Sequence, residues 1–189
     1  MRVVGGAARG RRLVGSHDSG ITRPLSDRAK EALFNILQAR VPGAHFLDLY
    51  AGTGAVGIEA LSRGAASATF VEQDRGALRV LRDNLASTQL HGNARVVGGD
   101  VFAFIEQART TYDLIFAGPP QWKQLYPKTV LALDHTGPPL AGDGILILQC
   151  DPKESVPLEL VQLDEYARRD YGKVRLTFLR RTTSEETPP

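Results

Sequence analysis

Residues 46–64, FLDLYAGTGAVGIEALSRG, contain the pattern from which the fold class can be predicted. They begin with a short apolar run, FLDLY, that is typical of a parallel strand buried on both faces. They end in AVGIEALSRG, in which apolar residues recur at helical spacing. Between the two, Gly52, Gly54 and Gly57 form the pattern GxGxxG, which lets a backbone approach a ligand at the N-terminus of a helix. We therefore predict a strand, a ligand-binding loop and a helix, in that order.

Strands and helices alternate along the rest of the chain. Between the apolar runs lie helical patterns such as RGALRVLRDNLAST, in which Leu78, Leu81 and Leu85 share one face. Near the C-terminus two extended segments meet at Tyr171-Gly172, which indicates an antiparallel hairpin. The alternation predicts a Rossmann-like α/β fold with a mostly parallel seven-stranded sheet, closed at one edge by that hairpin. The further predicted parallel strands are ATFVE (68–72), ARVV (94–97), YDLIFA (112–117) and GILILQ (144–149).

The N-terminal segment differs in composition from the rest of the chain. Residues 1–25 are basic and punctuated by glycine, which predicts a small β-hairpin appendage. Ser26 then caps a helix whose apolar face includes Leu33. We expect the main domain to span residues 26–181 and the polar tail 182–189 to be disordered.

The charge is distributed unevenly, although the formal net charge is only +2. The first acid of the chain is Asp18, whereas arginines are frequent before it, and a second basic cluster lies near the C-terminus, between residues 168 and 181. Such a distribution indicates a polyanion partner, although solvated surface arginines would give the same pattern. The candidate phosphate-binding residues are Arg2, Arg9, Arg11, Arg12 and Arg23.

Size and composition favour one globular domain in the cytoplasm. The 189 residues include a single cysteine, Cys150, which ends an apolar run and is expected in the core. No apolar run is long enough to span a bilayer, and the first residues lack the apolar core of a signal peptide. The four histidines are scattered without ligand spacing, so we expect no metal.

Acids stand at the predicted ends of three successive strands, where α/β sheets bind ligands. Asp48 would repel the phosphates of a dinucleotide, but it would attract the cationic S-adenosylmethionine. Glu72 could hold ribose hydroxyls, and Asp100 the adenine amino group, with Val101 or Phe102 over the ring. Three alternatives remain: Asp48 as a loop-capping acid, Asp100 as a helix N-cap, and a nicotinamide cofactor instead of the methyl donor.

Four segments together resemble one family: MRVVGGAARGRRL, TRPLSDRAKEALFNIL, FLDLYAGTGAVGIEALSRGA and FVEQDRGALRVLRDNL. They are similar, in the same order, to the ribosomal RNA small-subunit methyltransferase D family. The resemblance implies the fold of S-adenosylmethionine-dependent methyltransferases and transfer of a methyl group to the N2 amine of a guanine in 16S ribosomal RNA. It also implies small ribosomal subunit particles as partner and a hairpin that faces RNA. We expect a monomer. The candidate donor-site residues are Asp48, Tyr50, Gly52, Gly54, Glu72, Asp100 and Val101.

One motif departs from that family. Its members have Asp or Asn, two prolines and an aromatic residue after the fourth strand, whereas this chain has Gly118, Pro119, Pro120 and Gln121, with Trp122 one position later. We expect backbone carbonyls around Gly118 to hold the amine and Trp122 to stack on the base. The alternatives are a loop-anchoring role for Trp122, and a weakened homologue that acts as an RNA-binding or ribosome-assembly factor.

Overall fold

A single seven-stranded sheet organises the molecule. The computed structural model describes residues 1–15, 25–135 and 139–182. Within them the strand order is β3-β2-β1-β4-β5-β7-β6. The strands are β1 (His45–Leu49), β2 (Ser67–Glu72), β3 (Ala94–Gly98), β4 (Tyr112–Ala117), β5 (Leu140–Cys150), β6 (Leu163–Tyr171) and β7 (Val174–Arg181). The helices are α1 (Asp27–Ile36), α2 (Ala55–Ser62), α3 (Arg75–Thr88), α4 (Val101–Gln107) and α5 (Leu125–His135), with a 3-10 turn at His91–Asn93.

The order of the strands places a ligand site between β1 and β4. Strands β1 to β5 are parallel, and β7 pairs antiparallel with both β5 and β6. The chain runs outward from β1 to β3 and then returns to the other side of β1, so the direction of winding reverses there. Ligands of such sheets bind outside the carboxyl ends of the strands at that point. The predicted fold is confirmed, including the hairpin that turns at Gly172 (φ 64°); β5 begins at Leu140, earlier than predicted.

Alternate residues of the strands enter two apolar cores. Phe46, Phe70 and Phe116 face the core that contains α1, α2 and α3, and Leu47 and Ile115 face the core that contains α4 and α5. Both faces of the central strands are therefore buried, as the continuous apolar runs predicted. The predicted cap of α1 is also present, since the Ser26 hydroxyl accepts a hydrogen bond from the Ala29 amide at 3.2 Å.

The N-terminal hairpin packs directly on the domain. Arg2 and Arg12 form an antiparallel bridge, and the Val3 amide donates to the Arg11 carbonyl at 2.9 Å. Val3 and Leu13 are buried in the same core as α1 and α2. The described part of the predicted appendage thus shares the domain's core. The predicted boundary at residue 25 and the predicted tail, residues 182–189, lie at or beyond the edge of the described residues.

A buried carboxylate on α2 anchors the hairpin. Glu59 is fully buried and accepts hydrogen bonds from the Val4 amide at 2.8 Å and the Gly5 amide at 2.7 Å. It also forms ion pairs with Lys30 (3.4 Å) and Arg63 (2.8 Å). Burial lowers the pKa of Lys30, while the Glu59 charge opposes that shift. Since a lone buried charge is very costly, this network fixes the hairpin to α1 and α2.

Candidate active site

The glycine loop needs its glycines for packing as well as for conformation. Gly52 and Gly54 have positive φ angles of 55° and 82°. A Cβ on Gly54 would lie 2.2 Å from Leu81 Cδ1, and one on Gly57 would lie 2.3 Å from the Phe70 ring. A Cβ on Gly52 would meet no atom within 4 Å. The loop therefore lies close against α3 and β2 at Gly54 and Gly57, and it leaves open space beside Gly52.

Asp48 lies at the end of β1 and ties the strand to α2. Its side chain is buried, and Oδ2 accepts a hydrogen bond from the Gly57 amide at 2.8 Å. The pKa of Asp48 is raised to about 8, mainly by burial; the Gly57 N–H acts in the opposite direction, and the nearby Glu72 charge adds to the rise. This geometry matches the loop-capping alternative. Direct contact of Asp48 with the donor stays a prediction.

Glu72 joins the glycine loop to the end of β2. Its Oε2 accepts from the Gly52 amide at 2.8 Å, and its Oε1 accepts from the amides of Gln73 and Asp74, both at 2.9 Å. A carboxylate oxygen has a second lone pair, so these bonds leave capacity for ribose hydroxyls. The structure thus places Glu72 beside the loop, as expected for a residue that holds a nucleoside.

Asp100 is exposed and caps α4. Its Oδ1 accepts from the Ala103 amide at 3.0 Å, which is the N-cap geometry of the alternative interpretation. Among the described residues its Oδ2 has no hydrogen-bond partner, so a contact with an adenine amino group remains open to it. Val101 is 4% exposed and packs in the core, while Phe102 is half-buried. Of the two, Phe102 is the more accessible to a ring.

Tyr50 connects the glycine loop with α5. It has a φ of 61°, unusual for a residue other than glycine. Its hydroxyl lies 2.8 Å from the Thr129 hydroxyl, which donates to the Leu125 carbonyl at 2.7 Å. The end of β1 is therefore held against the helix that comes after the Pro-Pro segment.

The Pro-Pro segment leaves β4 directly beside the glycine loop. Gly118 is half-buried, and its amide donates to the Leu49 carbonyl at 3.4 Å. Gln121 turns inward with 7% exposure, whereas the Trp122 side chain is 63% exposed. The Trp122 amide donates to the Glu154 carboxylate. The aromatic face that this segment presents to solvent therefore belongs to Trp122, one position after the family's aromatic position.

The described part of the chain gives little support for a cysteine nucleophile or a metal site. Cys150 is buried, as predicted, and burial raises the pKa of its thiol to about 12, so it is no nucleophile. In residues 1–15, 25–135 and 139–182 no three His, Cys, Asp or Glu side chains group as metal ligands do. None of the described helices combines the length and apolarity needed to cross a bilayer.

The arginines of the hairpin differ in their surroundings. Arg2 pairs with Asp27 at 3.2 Å, and Arg11 Nη1 donates to the Ser87 carbonyl at 2.8 Å. Arg9 and Arg12 are exposed and have no carboxylate partner in the described structure. Arg23 lies outside the described residues. Four of the five predicted phosphate-binding residues thus lie on one small exposed hairpin.

The sequence interpretation missed a basic row on α3. Arg75, Arg79 and Arg82 are exposed at helical spacing, and none pairs with a carboxylate among the described residues. Arg11 contacts the end of the same helix at Ser87, so the row leads from the glycine loop to the hairpin. The spacing of these arginines in the sequence could have indicated a basic helix face. Only the structure shows that this face continues into the hairpin, which packs beside α3. We call this surface, Arg9, Arg12, Arg75, Arg79 and Arg82, the basic track.

The C-terminal basic cluster is partly neutralised. Arg168 pairs with Glu165 at 2.6 Å, and Arg175 pairs with Asp170 at 2.8 Å. Arg180 lies over the Tyr166 ring at 5.8 Å. The cluster is therefore less suited to a polyanion than the basic track.

Asn84 on α3 joins the hairpin to the glycine loop. It is fully buried; Oδ1 accepts from the Val14 amide at 2.8 Å, and Nδ2 donates to the carbonyls of Val14 (3.1 Å) and Thr53 (2.9 Å). One amide side chain thus fixes the segment after the hairpin relative to the glycine loop.

Known proteins share this arrangement over nearly the whole chain. A family described as conserved hypothetical protein 95 matches residues 1–180. Ribosomal RNA small subunit methyltransferase D of Escherichia coli K12 is 34% identical over 187 residues, which cover 99% of this chain and 93% of that protein. The structure of yhhF from Escherichia coli superposes with a TM-score of 0.84 at 34% identity, over 96% of this chain and 97% of the other.

A hypothetical protein from Thermus thermophilus, TTHA0928, has a TM-score of 0.79 and 33% identity, with coverage of 95% and 99% of the two chains. These matches confirm the resemblance found in the sequence. The chain therefore belongs to the conserved hypothetical protein 95 family, together with ribosomal RNA small subunit methyltransferase D.

Proposed function

We propose that the protein transfers a methyl group from S-adenosylmethionine to the N2 amine of a guanine in 16S ribosomal RNA, within a small-subunit assembly intermediate. One observation carries the proposal: the Pro-Pro segment leaves β4 beside the strand that bears the glycine loop, with Leu49 opposite Ala117. A base amine held at Gly118 would face a donor held at Gly52. The name of the Escherichia coli relative supports ribosomal RNA as substrate and disfavours the nicotinamide alternative. The protein would act in the cytoplasm as a monomer.

The donor would lie across the carboxyl ends of β1 and β2. The second lone pairs of Glu72 would accept from the ribose hydroxyls, and Asp100 Oδ2 would accept from the adenine amino group. The charge of Glu72, joined by that of Asp48 once donor binding has released its proton, favours a cationic sulfonium over a dinucleotide pyrophosphate. The protein contributes the position of the methyl group, and the donor contributes its reactivity.

The acceptor amine needs positioning more than activation by a base. A guanine N2 lone pair is delocalised into the ring, so its hydrogens must be held to direct the lone pair at the methyl carbon. Pro119 and Pro120 have no N–H, so this segment offers carbonyl acceptors with few competing donors. When bound, the donor would supply an electrophilic methyl group and keep the S–CH₃ electron pair on its sulfur, and the methylated amine would lose a proton to water. Trp122 would stack on the unstacked base.

A methyl-transfer assay tests the proposal. Small-subunit particles from cells that lack the protein should accept one labelled methyl group from S-adenosylmethionine, mapped to a guanine N2 by mass spectrometry of 16S RNA. Trp122→Ala should raise the activation free energy of methyl transfer by about 1–3 kcal/mol, because base stacking is lost, and it should leave donor affinity unchanged. Trp122→Phe should retain most of the rate. If the particles bind but accept no methyl group, the assembly-factor alternative stands.

The basic track predicts salt-dependent RNA binding. Each phosphate contact contributes roughly 0.7 to the slope of log affinity against log salt for single strands, so replacing three contacting arginines should reduce the slope by roughly 2. We expect this for Arg75, Arg79 and Arg82 changed together to alanine, and for the hairpin set Arg9, Arg11 and Arg12. The control changes Lys128, Arg169 and Lys173, which lie on α5 and the β6–β7 hairpin. Equal losses in control and track variants would rule out the basic track as the RNA surface.

A further inference from the structure

The space that a side chain at position 118 would enter already has a polar neighbour. A Cβ built on Gly118 would lie 3.5 Å from Oε1 of Gln149 and 3.3 Å from the Phe116 ring. Gln149 is 8% exposed and lies near the carboxyl end of β5. Because Ala117 and Leu148 are register partners in the parallel pair β4–β5, the next residues along, Gly118 and Gln149, are neighbours on the same face of the sheet.

We propose that Gln149 supplies the side-chain acceptor for the substrate amine, in place of the acid or amide that Gly118 lacks. This inference rests on the proposed function. An Asp or Asn at position 118 would carry its oxygen two bonds beyond Cβ. Gln149 Oε1 lies in van der Waals contact with that Cβ position, so it delivers an acceptor close to the same region from the neighbouring strand.

The two acceptors together account for both hydrogens of an exocyclic amine. The amide oxygen of Gln149 has two lone pairs and accepts one N–H, and the Gly118 carbonyl accepts the other. Holding both hydrogens fixes the plane of the amine and directs its lone pair toward the donor. Since Gln149 is buried, water competes little for its oxygen, and each hydrogen bond there is stronger than in solvent.

A side chain at position 118 requires only a small adjustment of its neighbours. A Cβ there would lie 3.3 Å from the Phe116 ring, so the ring must shift by a few tenths of an ångström. Gly118 needs no such shift and leaves this space to the longer glutamine. A neutral amide stabilises the positive charge that develops on nitrogen less than a carboxylate does, so Gln149→Glu should transfer methyl at least as fast as wild type.

Kinetics of Gln149→Met on small-subunit particles test the inference, because methionine keeps the unbranched shape without the oxygen. We expect kcat to fall roughly 100-fold, as for other preorganised transition-state contacts, with donor affinity and Tm unchanged. Adding Gly118→Asp to Gln149→Met should recover most of the rate. Thr177→Val is the control, since Thr177 is also a buried polar residue beside β5, at 2% exposure on β7, but lies outside the proposed site; it should keep the wild-type kcat.

Two results overturn the inference while the proposed function stands: Gln149→Met as fast as wild type, or a slow Gln149→Met enzyme that Gly118→Asp does not rescue. The second result, particularly with a lowered Tm, would assign Gln149 a purely structural role. A wild type that methylates no guanine would instead reject the proposed function, and the inference with it.

Discussion

The Glu59→Gln variant should unfold with a free energy about 3–5 kcal/mol below that of wild type, the usual cost of breaking a buried ion pair from one side. Glutamine keeps the size of the side chain, but it leaves the buried ammonium of Lys30 without its counter-charge. Its Nε2 would also meet one of the two amides, that of Val4 or that of Gly5, where an acceptor is required. Urea denaturation followed by circular dichroism measures the loss, and limited proteolysis should show earlier cleavage within residues 1–15.

Asp143→Asn provides the control for this experiment. Asp143 pairs with Arg40 at 3.1 Å, but the two side chains are 81% and 40% exposed. Exposed pairs contribute about 1 kcal/mol or less because solvent screens them. Similar losses in both variants would show that Glu59 stabilises the fold no more than a surface acid does.

Donor affinity should rise with pH, by up to about tenfold per pH unit between about pH 6 and pH 8. Burial raises the pKa of Asp48 to about 8, so the free protein holds a proton there at neutral pH. A cationic donor favours the ionised carboxylate and lowers this pKa, so binding releases the proton, and release becomes easier as pH rises toward 8. Calorimetry in buffers of different ionisation enthalpy counts the protons released.

Asp48→Asn is the matched variant. Because asparagine does not titrate, the donor affinity of this variant should lack the part of the pH dependence that comes from position 48. The free energy of unfolding should change with pH in the opposite direction, because the folded protein binds the Asp48 proton more tightly than the unfolded chain does. Wild type should therefore lose stability relative to Asp48→Asn as pH rises from about 4 to about 8. An identical pH slope of donor affinity in the two proteins would show that the donor's charge does not reach Asp48.

The fold could be predicted because its signals are local. The glycines of residues 52–57 fix the first strand, loop and helix, and the period of Leu78, Leu81 and Leu85 fixes the buried face of α3. The positions of the donor-site acids come from the same patterns, since residues at the carboxyl ends of parallel strands meet at one edge.

The direction of each side chain could not be predicted, because it depends on partners distant in sequence. Nothing near Glu59 in a mostly apolar helix indicates that it accepts hydrogen bonds from amides more than fifty residues away. Arg11 likewise contacts α3 at Ser87 across a separation of 76 residues. The nearness of Gln149 to Gly118 likewise requires the β4–β5 register. The sequence places Asp48 at the end of its strand, whereas the fold turns its carboxylate to the next helix.

Trp122 is the only tryptophan of the chain, and 63% of its side chain is open to solvent. All indole fluorescence of the protein therefore arises from one loop, the one directly after the Pro-Pro segment. Emission from such a residue is that of an indole in water, and stacking against a base quenches it. The protein thus has a built-in optical reporter: a titration with RNA can be followed without a label, and a loss of signal refers to a single known position.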